Sequence, residues 1–149
     1  MVGTLGAQIG VLPQKDTTLS GATDEKFKVG DEWEYRTRKS EEKSTLTILR
    51  VESSPELGVV VHVAVNKIRL ANCHGGPSPD SVPHMPFARR ALDDSVTKKI
   101  ATDRSLPDYK DGYNEWKEDC FREFCSLVIF RQSEHGKGCG CIAHEATDI

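Results

Sequence analysis

Four side chains able to hold a metal crowd into HGKGCGCIAH, residues 135–144: His135, Cys139, Cys141 and His144. Zinc takes thiolates and imidazoles in a tetrahedron of about four, and short spacings let one loop supply two of them. The spacing here is unusual. Cys139 and Cys141 are separated by Gly140 alone, where structural zinc motifs place two to four residues, roughly, between paired cysteines. Three glycines would let the stretch wrap but leave it without a fixed shape. A flexible tail is the expectation; a zinc site on these four residues is the alternative. A second group, Cys73, His74, Asp80 and His84, lies in a Pro-rich stretch. A thiol, an imidazole and a carboxylate are the parts of a nucleophile, base and orienter. Adjacent Cys73 and His74 pair poorly, so His84 would have to be the base, and no protease signature surrounds it. The third case is His62, placed mid-strand. With Arg36, Asn66 and His84 it forms the candidate ligand-binding set, a polar pocket being possible where these side chains reach one sheet face. No residue is assigned a catalytic role, and no cofactor is expected.

These residues need elements to position them. After the turn signal Gly30-Asp31, Trp33, Tyr35 and Thr37 alternate with Glu32, Glu34, Arg36 and Arg38, which predicts a half-buried strand. STLTILRVES, residues 44–53, predicts a second strand, antiparallel to the first across the short polar link KSEEK. VVVHVAVNKIRL, residues 59–70, is the strongest strand signal. Val59, Val61, Val63 and Val65 share one face; Val60, His62, Ala64 and Asn66 share the other, expected to be partly open. Residues 71–86 hold four prolines and two glycines and read as a long loop. Pro86 then looks like a first helical residue, with Ala88, Leu92, Val96 and Ile100 as one apolar stripe. Tyr109, Tyr113, Trp116, Cys120 and Phe124 predict a second helix, and SLVIF, residues 126–130, a last strand. A short strand near Gln8–Leu12 is possible within the leader. The expected fold class is α+β: an antiparallel sheet of three or more strands with two amphipathic helices packed on one face. The expected organisation is a flexible leader at 1–26, one domain at 27–130 and a flexible tail at 131–149.

VGDEWEYRTRKSEEKSTLTILRVE, HMPFARRALDDSVTK and LPDYKDGYNEWK, in that order, resemble small uncharacterised bacterial proteins with a VGDxWxYxTR, STLT and HMPFxxxALxxSVT pattern. The resemblance spans roughly residues 27–117, a length typical of one domain. It implies an α+β domain and carries no activity.

Composition bounds the function. The chain has 149 residues, 29% of them charged, with a formal net charge of −3. Residues 1–74 carry ten basic and ten acidic side chains, and no basic stripe appears, which argues against nucleic-acid binding. No apolar run approaches the roughly 20 residues of a membrane span. The N-terminus makes a poor secretory signal, so the expected location is cytoplasmic, with the five cysteines reduced. The expected function is a small soluble non-catalytic module that binds a protein or a small ligand. Partner identity and oligomeric state are not legible.

Overall fold

The computed structural model describes residues 18–70, 72 and 75–122, the side chains of 121 and 122 excepted. Strands β1 (Ser20–Gly21), β2 (Glu32–Tyr35), β3 (Thr45–Ser54), β4 (Gly58–Asn66), β5 (Ser81–Ala88) and β6 (Val96–Ala101) form one antiparallel sheet. Helix α1 spans Arg89–Ser95 and α2 spans Lys110–Arg122. The order across the sheet is β5-β4-β3-β2-β6, with β1 also pairing β3. The fold is α+β, and the meander β2-β3-β4 lies where alternation in the sequence puts it.

The pleat sends alternate side chains to opposite faces. Val61, Val63 and Val65 of β4 join Trp33, Leu46, Ile48, Phe87 and Leu92 in the larger apolar cluster. Val60, one residue earlier, instead meets Tyr113, Trp116 and Cys120 of α2. The two helices thus belong to different clusters, α1 through Leu92 and α2 through Trp116, and do not pack on one common face. The face expected to be partly open is closed: Val60 and His62 are 0% exposed and Ala64 1%. The closing element is α2, whose stripe of Tyr113, Trp116 and Cys120 matches the expected one; Phe124 falls outside the described residues.

Two other expectations are corrected. The stretch from Pro86 to Ala101 is not one helix. Pro86 sits in β5 opposite His62, and the chain is helical only over Arg89–Ser95 before extending as β6. Val96 and Thr97 are β-branched, and Ile100, the supposed end of the stripe, is 40% exposed. Much of the Pro-rich loop is likewise strand. β5 ends the strand order, and a strand there tolerates Pro83 and Pro86, which have no N–H to donate, because it lacks a second neighbour that would need one. Ile68 N–H donates to Asp80 O at 2.9 Å and Leu70 N–H to Pro79 O at 3.3 Å, which carries the hairpin past the regular ladder.

Residues 18–26, read from the sequence as part of a flexible leader, supply β1 and a turn. Asp24 Oδ1 accepts from the backbone N–H groups of Lys26 and Phe27, at 2.9 and 3.0 Å, and Oδ2 from Arg89 Nε at 2.8 Å. This seats Phe27, 0% exposed, against Trp33 with ring centroids 5.6 Å apart. The possible strand at Gln8–Leu12, the strand at 126–130 and the 131–149 tail lie outside the described residues.

Candidate functional site

Between the sheet and α2 lies a polar cluster built from three strands. On β3, Arg50 and Glu52 are two residues apart and share a face; on β4, His62 sits opposite Arg50 and Val60 opposite Glu52. On β5, His84 brings a second imidazole beside the first. Helix α2 closes the group with Tyr113 and Trp116, whose rings stand edge-on to His62 at centroid distances of 5.3 and 4.9 Å.

Glu52, 1% exposed, is the anchor. Its Oε1 accepts from Arg50 Nε at 2.8 Å and Tyr113 Oη at 2.9 Å; its Oε2 accepts from the same hydroxyl at 3.0 Å. Arg50 keeps its guanidinium over the Tyr113 ring, 5.0 Å from the centroid. Burial first, then the carboxylate, push the Tyr113 phenol up to about 12, so it stays a donor at neutral pH. A buried carboxylate needs such partners, because an unpaired charge there costs several kcal/mol.

The histidines extend the chain of contacts. His62 Nε2 stands 3.2 Å from Glu52 Oε2. The approach is too oblique to count as an aligned hydrogen bond, and Nε2 has no better partner. On the other side of the ring, His62 Nδ1 and His84 Nε2 are 2.9 Å apart. The rings are within 21° of parallel, with centroids 5.1 Å apart, about the N···N distance plus one ring diameter. The two nitrogens therefore meet head-on, in the geometry of a shared proton. A metal ion bonded to both along this line at about 2.0–2.1 Å each would force them further apart. Burial holds both imidazoles at about 4, well below the usual histidine value; for His62 the charge of His84 adds to this, while Glu52 opposes it in both.

With both rings neutral, one proton arrangement fits. A lone pair on His62 Nε2 facing the Glu52 carboxylate would be repelled, so Nε2 carries the proton. His62 Nδ1 is then an acceptor, and His84 Nε2–H donates to it. The unprotonated nitrogen of His84 is consequently Nδ1. That atom faces the first turns of α2, where a Cβ on Gly112 would lie 3.1 Å from His84 Cβ, a tight contact, and 3.8 Å from Nδ1. Glycine costs a helix interior roughly 1 kcal/mol against alanine, and here it lets the helix backbone come close to the His84 side chain.

Of the four ligand-binding candidates, the fold joins two. His62 and His84 touch. Arg36 is exposed past the end of β2, two strands away from β4, its N–H donating to Ser95 O at 3.0 Å. Asn66 ends β4 about 13 Å further along at roughly 3.3 Å per residue, and its carbonyl accepts from Ser44 Oγ at 2.7 Å. Sequence reading missed Glu52 and Tyr113. Glu52 looked like one polar position of a strand, and Tyr113 like one ring of an apolar stripe. The signal that links them is a carboxylate and a histidine on the same face of adjacent strands.

Cysteine 73 and His74 of the second candidate group lie outside the described residues, and so do His135, Cys139, Cys141 and His144. Among the described residues, no three His, Cys, Asp or Glu side chains converge as a metal site, and no helix is long and apolar enough to cross a membrane. Cys120 is buried as the stripe predicts, but it is disulfide-bonded, not a free thiol. No family model, curated protein or solved structure matches the chain.

Proposed function

We propose that this chain is a non-catalytic binding module, and that its point of recognition for a small ligand is the Nδ1 edge of His84. The observation that carries this reading is the head-on contact of His62 and His84 at 2.9 Å, backed by Glu52. Burying a carboxylate and two imidazoles under a helix opposes folding unless each is satisfied. Within this set His62 Nε2 has only the oblique approach to Glu52, and the half-buried His84 ring keeps a lone pair on Nδ1. The ligand that such an atom suits is a neutral group with an N–H or O–H to donate. A bare carboxylate would face a lone pair. The disulfide at Cys120 favours an oxidising compartment over the expected cytoplasm.

The test is a screen of small primary amides, ureas and alcohols against the full chain, read by the imidazole nitrogen resonances. A binder is expected to move His84 Nδ1 most in the parent and to lose its effect in His84→Phe, which removes that lone pair. Binders that move backbone signals elsewhere and leave His84 unchanged would refute the site.

A further inference from the structure

At the end of the sheet where β3 begins and β4 ends, the link between β2 and β3 folds against the segment after β4. Arg38, Lys39, Ser40, Glu41 and Arg69 line an open depression of about 260 Å³ there. Its floor is fixed. Glu41, 5% exposed, accepts from Arg38 Nε at 2.8 Å and Nη2 at 2.6 Å, and from the Arg69 backbone N–H at 2.8 Å. Arg38 Nη2 also donates to Arg69 O at 3.1 Å. The Glu41 carboxyl is held below its usual range, first by the Arg38 hydrogen bonds, so its charge is already matched. Ser40 and Lys67 flank the depression with φ of 75° and 56°, a left-handed backbone that costs non-glycine residues strain.

That leaves two cations over. The heads of Lys39 and Arg69 make no hydrogen bond or ion pair among the described residues, and both are exposed. Among the described residues, an opposing charge nearby without a cationic partner is Glu42, whose Oε1 accepts from Ser40 N–H at 3.0 Å. A planar guanidinium beside a point-charge ammonium, on a floor that is internally neutralised, is a pairing suited to a tetrahedral oxyanion.

We propose that the depression between Lys39 and Arg69 binds a phosphate-type dianion, either free phosphate or a phosphate monoester. This site is independent of the His84 reading. Inorganic phosphate and O-phosphoserine are titrated into the full chain at low salt, at pH 7.5, and followed by backbone amide shifts. Both anions are expected to shift residues 38–41 and 67–69 first, with acetate much weaker. The tighter of the two identifies the free ion or the ester as the natural form. The double variant Lys39→Ala/Arg69→Ala, which keeps the Arg69 N–H on Glu41, should weaken binding about tenfold or more, and Lys28→Ala should leave it unchanged. Shifts scattered over all surface lysines, equal weakening by Lys28→Ala, or acetate binding as well as phosphate would overturn the proposal.

Discussion

Replacing Leu92 with aspartate is expected to unfold the domain. Leu92 is the one buried residue of α1, at 0% exposure, and it fills the cluster formed by Phe27, Val61, Val63 and Phe87. Removing a buried leucine costs roughly 2–5 kcal/mol. An ionised carboxylate left there without a partner adds several more, or must take up a proton. The sum reaches the total stability of about 5–15 kcal/mol typical of a domain. Arg90, exposed two residues earlier, is the control: Arg90→Ala should stay within about 0.5 kcal/mol. Loss of amide dispersion in the first variant and its retention in the second is the expected outcome. A folded Leu92→Asp protein with a parental melting curve would place α1 off the core.

Acid is expected to weaken the fold well before the carboxylates titrate. His62 and His84 are held at about 4 in the folded chain, against about 6.5 in an unfolded one. Between these values the unfolded state binds protons that the folded state refuses. Stability is therefore complete above pH 6.5 and falls as the pH drops toward 4. One unit is 1.36 kcal/mol, so His62 alone accounts for roughly 3 kcal/mol; His84 adds less because its ring is partly exposed. The two titrate as a pair, and the loss belongs to the pair. Asp24, Glu41 and Asp93 are held below their usual values by Arg89, Arg38 and Lys26 respectively. Their contribution is present above about pH 4, the unfolded value, and is lost only below it. Urea unfolding at pH 7.5, 6, 5 and 4.5 separates the two windows. The parent should lose stability across this range, and His84→Phe should lose less. A flat profile between pH 7.5 and 4.5 would mean that the imidazoles are not held neutral by the fold.

Much of the sheet was legible because periodicity survives wherever one face is apolar. Val59–Val65 fixed β4 and its inward face, and Trp33 and Tyr35 marked β2. The helix α2 was legible for the same reason, in its three-to-four spacing of rings. β5 was not. SVPHMPFA carries two prolines, which read as loop until the sheet order shows the strand at an edge. β6 was lost because Leu92, Val96 and Ile100 mimic a helical stripe across a helix–strand junction. Phe27 lay just inside the predicted boundary, but Asp24 and β1, which hold it in place, lay in the stretch assigned to the leader. At the site, His62 and His84 fall in one candidate set, but one is read as a strand histidine and the other as a loop histidine. Their contact depends on β5 pairing with β4, so the loop reading hid it. Arg36 and Asn66 were drawn in by alternation alone, which says which face a residue takes but not how far along the sheet it sits.

The central claim is the proton arrangement of the buried pair. A long-range proton–nitrogen correlation spectrum of the imidazole rings at pH 7 reads it directly. Both rings should be neutral, with the proton on Nε2 of His62 and on Nε2 of His84, and with both Nδ1 atoms bare. Glu52→Gln should disturb the His62 signals and pass the change on to His84. A proton on His62 Nδ1, or a charged imidazolium in either ring at that pH, would contradict the arrangement and remove the lone pair on which the binding site depends.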